Sequence, residues 1–263
     1  MESRRARGAG LLALGWALAL EGAVAKVSLV VAALIVFGGL VTAVVMARGD
    51  HPESLADVPL VASSALVWGA GTLLAFAAAA HAFRRDKVSG IRALVASRAR
   101  SDGEYLAARV VGLARVVAAV TATGTLAVGI ASALVARGSG LAIHTLATTM
   151  AAVVFSVAFA AVIAPVGFAT LAARSRVGGY LALTVVLVLP ELLAGPMSTI
   201  LPEGWGELVS IPGALGALRA SLLPGSIDPL RLLRASALIT LLILASMLVV
   251  RGQLARFDRE QPV

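Results

Sequence analysis

Cysteine is absent, lysine occurs only at Lys26 and Lys87, and aromatic residues make up 5% of the chain. Disulfides and thiolate metal sites are therefore excluded. No GxxxxGK[ST] run occurs, so the chain carries no P-loop for ATP. Charge is scarce as well. Charged residues account for 14% of the 263 positions and hydrophobic residues for 59%, with a mean hydropathy of +0.96. A soluble domain of this length cannot enclose so much apolar surface. Composition points instead to an all-α integral membrane protein. The formal charge of +8 does not indicate nucleic acid, because the arginines sit in short segments beside apolar runs and form no face interleaved with aromatics.

A hydrocarbon core of about 30 Å needs roughly 20 apolar residues per helix. That rule places six spans near Val27–Ala47, Leu60–Phe83, Val110–Ala136, Leu146–Ala172, Gly179–Met197 and Leu232–Val250. Six spans put both termini on one face. With the termini inside, the inner segments hold Arg4, Arg5, Arg7, Lys26, the cluster from Arg84 to Arg109, Arg174, Arg176, Arg251, Arg256 and Arg259, while the outer face holds only Arg48, Arg137, Arg219, Arg231 and Arg234 and collects Asp50, Glu53, Asp57, Glu203, Glu207 and Asp228. Lys and Arg are retained on the cytoplasmic side, so a multi-pass protein with cytoplasmic N- and C-termini is expected. The compositional bias toward Ala and Arg suits a bacterial cytoplasmic membrane. Glycines and alanines within the spans, among them Gly38-Gly39, Gly69-Ala70-Gly71, Gly124 and Gly178-Gly179, allow close helix approach.

The first 26 residues read as a cytoplasmic and interfacial helix. Gly10–Ala25 contains Trp16 and Glu21 and runs into a full span after Lys26, which does not suit a cleaved signal peptide. Leu11, Leu14, Leu18 and Val24 would face lipid, and the alternative is a further span or hairpin from Gly8 to Ala25. Residues 84–109 are too long and too patterned for a turn. Taking Ile91, Leu94, Val95, Leu106, Val110 and Val111 as the apolar positions gives two short amphipathic helices joined near Ser101-Asp102-Gly103. In residues 198–231, Pro202, Gly204, Gly206, Pro212, Gly213, Pro224, Gly225 and Pro229 interrupt apolar pieces, so short broken re-entrant helices are expected against the other spans, with a bend at Pro212-Gly213. Pro190-Glu191 lies near the outer end of the fifth span. A carboxylate there is either part of a conduit or outer gate or a residue at the interface.

This order of elements resembles the membrane subunit of a type-2 ABC exporter permease. The residues carrying the resemblance are Arg84-Arg85-Asp86-Lys87-Val88-Ser89-Gly90-Ile91-Arg92-Ala93-Leu94-Val95-Ala96-Ser97, then Glu104-Tyr105-Leu106 and Arg109-Val110-Val111-Gly112. Ser89-Gly90-Ile91 stands where Gly-Thr-Leu is usual in that family, and Arg98 where Pro is common. The resemblance implies a single permease domain over 1–263 whose coupling helix docks on a separate cytoplasmic ATPase. ATP and Mg would be bound by that partner, with no cofactor and no catalytic or metal site in this chain. The coupling set would be Arg84, Arg85, Asp86, Lys87, Ser89, Gly90, Ile91, Arg92, Leu94, Val95, Arg98, Arg100 and Glu104. Arginines would meet partner carboxylates, and Ile91, Leu94 and Val95 would supply the apolar anchor. Further partners would be a second permease copy or a paralogue, a periplasmic protein, and membrane lipid.

Other chemistry reads more weakly. Asp102-Gly103 with Ala108-Arg109 is similar to the DGxxAR core of phosphatidyltransferases, but the spacing is about two residues too long and no Asp follows before Glu191, so the metal ligand count fails. His51, His144 and Met197 are scattered soft donors, and no Ser/His pair suggests nucleophilic catalysis. A membrane-embedded enzyme acting on lipid-linked substrates is the alternative reading.

Overall fold

The computed structural model describes residues 16–20, 22–49, 52–97, 101–173 and 176–260; among these there is no strand. Six helices are long and apolar enough to cross a membrane, so the chain is a multi-pass membrane protein by length and composition. They are α1 (Ala23–Arg48), a composite span made of α2 (Val58–Ala65), a π-helical turn (Leu66–Gly71) and α3 (Thr72–Ala79), then α6 (Asp102–Val135), α7 (Ser139–Leu171), α8 (Arg176–Ile200) and α10 (Pro229–Glu260). Two short helices, α4 (Ala82–Val88) and α5 (Ile91–Ser97), join the second and third spans, and α9 (Ile211–Ala220) precedes the last. The six apolar runs thus correspond to the six long helices.

The helices run past the apolar runs. At 1.5 Å per residue the 34 residues of α6 reach about 51 Å, longer than the hydrocarbon core requires. One consequence is a correction: Leu106, Val110 and Val111 belong to the first turns of this spanning helix and not to a second amphipathic helix. The two short helices instead meet at Ser89-Gly90. Gly90 takes φ +75°, a left-handed conformation that a side chain opposes, and its N–H reaches the Lys87 carbonyl at 3.1 Å.

The antiparallel pair α6 and α7 forms the centre. Small residues set their approach: a Cβ on Gly129 would collide with Thr149, and one on Gly124 would press Leu66 and Val36 from neighbouring elements. Hydroxyls inside the pair are satisfied within their own helices. Thr121, Thr125, Ser132 and Ser156 donate to carbonyls four residues back at 2.8–2.9 Å, so no hydroxyl among these four is left unpaired in an apolar medium. The π turn brings Trp68 edge-on to Phe159, with ring centroids 5.2 Å apart. In contrast, α1, α8 and α10 keep most of their side chains on the outside.

Residues 16–20 form a helical piece that Gly22, at φ +114°, separates from α1. Leu18 is buried here and does not face outward, while Val24 is half-exposed. Leu11, Leu14 and Glu21 lie outside the described residues. At the opposite end of the bundle, Gly206–Val209 forms a 3-10 turn and α9 packs on α7, α8 and α10. Pro212 and Gly213 occupy the first turn of α9, where the Ser210 hydroxyl accepts the Gly213 N–H at 2.9 Å; the chain changes direction just before them. A Cβ on Gly213 would strike the Glu207 carbonyl.

Candidate functional site

The end of the bundle that carries α4 and α5 also receives the start of α1 and the end of α10. Its centre is a buried polar group. Asp86 of α4 is fully enclosed and faces Arg109 of α6, which is 3% exposed. Arg109 Nε lies 2.9 Å from Asp86 Oδ2, and Arg109 Nη2 donates to Oδ1 at 3.1 Å. The Tyr105 hydroxyl, one turn earlier on α6, donates to Asp86 Oδ2. Two donors and a compensating cation let a carboxylate persist where water does not reach.

A second link ties α5 to the same frame. The Arg92 guanidinium pairs with Asp102 at 3.2 Å and with Asp258 of α10, and it lies 4.8 Å over the Tyr105 ring. Phe83 packs beside Phe168 and Phe257, and the Gln253 amide donates to the Ala169 carbonyl at 2.7 Å. The turn into α4 is fixed from behind as well: the His81 and Phe83 N–H groups reach the Leu171 and Ala172 carbonyls at 3.1 and 3.4 Å, satisfying acceptors that the end of α7 leaves open. Elements α4 and α5 are therefore held by α6, α7 and α10 at once.

These contacts sort the coupling set by direction. Asp86 and Val95 are buried, Arg92 is largely consumed by its two carboxylates, and Ile91 packs partly against the core. Arg84, Ser89, Gly90 and Leu94 are exposed, as is Val88, and Lys87 is half-buried. Glu104 marks a helix start: its N–H is received by the Ser101 hydroxyl at 3.2 Å, as in an S-x-x-E cap. Arg85 is half-buried and donates to the Ala78 carbonyl at 2.9 Å. Arg98 and Arg100 lie outside the described residues. The outward surface of this corner is thus Arg84, Val88, Ser89, Gly90, Ala93 and Leu94, with Ile91 and Val95 forming its inner side.

At the opposite end the four candidate conduit residues fall in two places. Pro190 and Glu191 lie within α8, whose helix continues nine residues beyond Glu191 to Ile200; the Glu191 side chain is exposed. Pro212 and Gly213 open α9. Arg219 of α9 donates to the Ser64 hydroxyl at 2.6 Å and to the Leu60 carbonyl at 3.4 Å, and its guanidinium lies 4.7 Å over the Phe155 ring. Burial draws this guanidinium below its ordinary pKa.

Sequence reasoning missed Asp258, Gln253, Tyr105 and Arg219 as structural partners. One signal was available. Asp86 is the lone acidic residue between Arg84 and Arg100, which marks it as the group those cations, or Arg109, would enclose. No local pattern links Arg92 to Asp258 across 166 residues. Comparison of the chain with protein-family models, with curated proteins and with solved structures yields no match.

Proposed function

We propose that this chain is the transmembrane permease subunit of an ABC transporter in a bacterial cytoplasmic membrane, moving cargo, or passing force to a periplasmic partner, with ATP hydrolysed by a separate subunit. Both termini are cytoplasmic in this reading, the helical corner α4–α5 is the coupling element, and residues 206–220 form the broken re-entrant region on the outer face. Two permease copies, or one copy and a paralogue, work with two ATPase chains.

The observation that carries the reading is the exposed corner around Ser89-Gly90, pinned through Asp86, Arg109, Tyr105, Arg92 and Asp258 to the two long helices α6 and α10. A partner pushing on Val88 and Leu94 would move α6 and α10 directly, because the buried ion pair transmits displacement instead of absorbing it. Exposed Arg84 would meet a partner carboxylate at the rim, where charge serves orientation more than affinity. Glu191, exposed on a spanning helix, supports a conduit shared with another chain, since an uncovered carboxylate at depth is costly in lipid alone.

The test is purification of the tagged chain from its source cells in mild detergent. An ABC ATPase, identified by its Walker A peptide, should copurify and hydrolyse ATP in the complex. Absence of any such ATPase from stable, folded permease would overturn the assignment.

A further inference from the structure

Beside the coupling corner, a cleft of about 550 Å³ opens between the start of α1, the end of α3 and the start of α8. Its lining is mostly apolar, with Ala23, Leu73, Phe76 and Ala77 among it, and its polar groups are His81, Arg85 and Tyr180. Val24 and Leu73 of its lining are 50% and 45% exposed, and Tyr180 is 45% exposed, so it opens on the side surface of the helical bundle.

The polar set is incomplete. Arg85 spends one Nη2–H on the Ala78 carbonyl, its Nε is buried without an acceptor, and among the described residues it has no carboxylate partner. Such a cation needs an anion or water to offset its desolvation. His81 stands at φ +54°, the only non-glycine residue with positive φ among those described, and its backbone is locked there by the Leu171 carbonyl. A non-glycine residue in this region is uncommon, and its backbone is held there by the surrounding contacts.

We propose that this cleft binds one phospholipid of the surrounding bilayer, with the phosphate on Arg85 and His81 and an acyl chain along Leu73 and Phe76. A phosphate compensates the charge of Arg85 through the guanidinium N–H groups that face the cleft, and an Arg guanidinium suits phosphate geometry. The apolar groove beside it excludes a free anion as the intended occupant. The site stands independently of ATPase coupling.

Native mass spectrometry of the full-length chain tests it, with long-chain phosphatidylglycerol, diacylglycerol and inorganic phosphate as separate probes. Phosphatidylglycerol should remain bound at one copy per chain, while diacylglycerol and inorganic phosphate should not. Arg85→Gln should lower occupancy at least tenfold. Ala77→Phe, which fills the groove and leaves every charge in place, should do the same, and it keeps the test open if Arg85→Gln fails to fold. Arg251→Gln, an exposed charge at the same end, should leave occupancy unchanged. Equal retention of phosphatidylglycerol by wild type and Ala77→Phe, or equal binding of diacylglycerol, would overturn the proposal, as would retention of inorganic phosphate at the same level.

Discussion

Arg109 and Asp86 meet inside the bundle, Nε 2.9 Å from Oδ2, although the two residues lie on different helices and both side chains are almost wholly enclosed. A buried ion pair of this kind is weak evidence for net stability, since well-packed apolar residues can replace it at little cost. Its value is positional. It allows one arrangement of α4 on α6, and Tyr105 narrows that arrangement by occupying the same carboxylate.

Breaking the pair from one side should therefore be worse than removing it. Asp86→Ala leaves Arg109 charged and unpaired, and about 3–5 kcal/mol of stability should be lost. The double variant Asp86→Leu with Arg109→Met should recover most of that loss. The measurement is denaturant unfolding of the detergent-purified chain for Asp86→Leu, Arg109→Met and their combination, beside Asp86→Ala. Additive losses would mean that the two side chains act separately.

Tyr105→Phe keeps the ring under Arg92 and deletes only the hydroxyl. The loss should be about 1–3 kcal/mol, because one carboxylate oxygen forfeits a donor away from water. Tyr105→Leu should cost more, since the stacked contact with Arg92 disappears as well. Equal melting of both variants would show that the hydroxyl, and not the ring, carries the contribution.

How much of this was legible beforehand depends on the kind of signal. Span number followed from composition, because a bilayer imposes a length on apolar runs whatever they pack against. The location of charge in the loop was equally plain. The direction of each side chain was not. Ile91, Leu94 and Val95 are all apolar neighbours on a helix of seven residues, and only the packing of α5 on the bundle decides that Val95 turns in and Leu94 out. Asp86 looked like one more charged loop residue because its partner lies 23 positions away. The boundary of α6 was misplaced for a related reason: the polar turns around Glu104 and Arg109 fall below the apolar threshold for a span but continue the same helix, with Ser101 as its cap. At Glu191 the difference is small: the helix expected to end near Met197 continues to Ile200.

Orientation in the membrane is open to a direct readout, helped by the absence of cysteine. Single replacements at Ser89 and Ser226, both exposed and at opposite ends of the bundle, should label from opposite sides. Ser226→Cys should react with an impermeant maleimide on intact cells, and Ser89→Cys only after the membrane is opened. The reverse pattern would place the α4–α5 corner outside and remove any cytoplasmic role for it.

At the Ser226 end, Arg219 fastens α9 to the second span through Ser64 and to α7 through the Phe155 ring. Arg219→Ala should free residues 206–220 for cleavage by an external protease, with a rate several-fold above wild type, whereas Gly213→Ala should disrupt the same segment by collision with the Glu207 carbonyl. Wild-type resistance in both variants would mean that other contacts hold α9 in place.

The sharpest separation of a docking surface from a folding core comes from two residues that adjoin in sequence. Leu94 is 49% exposed and Val95 is 5% exposed. If the outward side of α5 receives the ATPase, Leu94→Asp should leave unfolding unchanged within about 0.5 kcal/mol, as for an ordinary surface substitution, while capture of the ATPase falls at least tenfold because a charge is then buried in the interface without a partner. Val95→Asp should act oppositely: the carboxylate is forced into the buried apolar cluster that Val95 belongs to, so the folded yield drops before capture is considered. Copurified ATPase per folded permease, measured beside the unfolding midpoint, distinguishes the two. Normal capture by folded Leu94→Asp would exclude this side of α5 as the coupling surface, and the role of α4 and α5 would reduce to closing the end of the bundle.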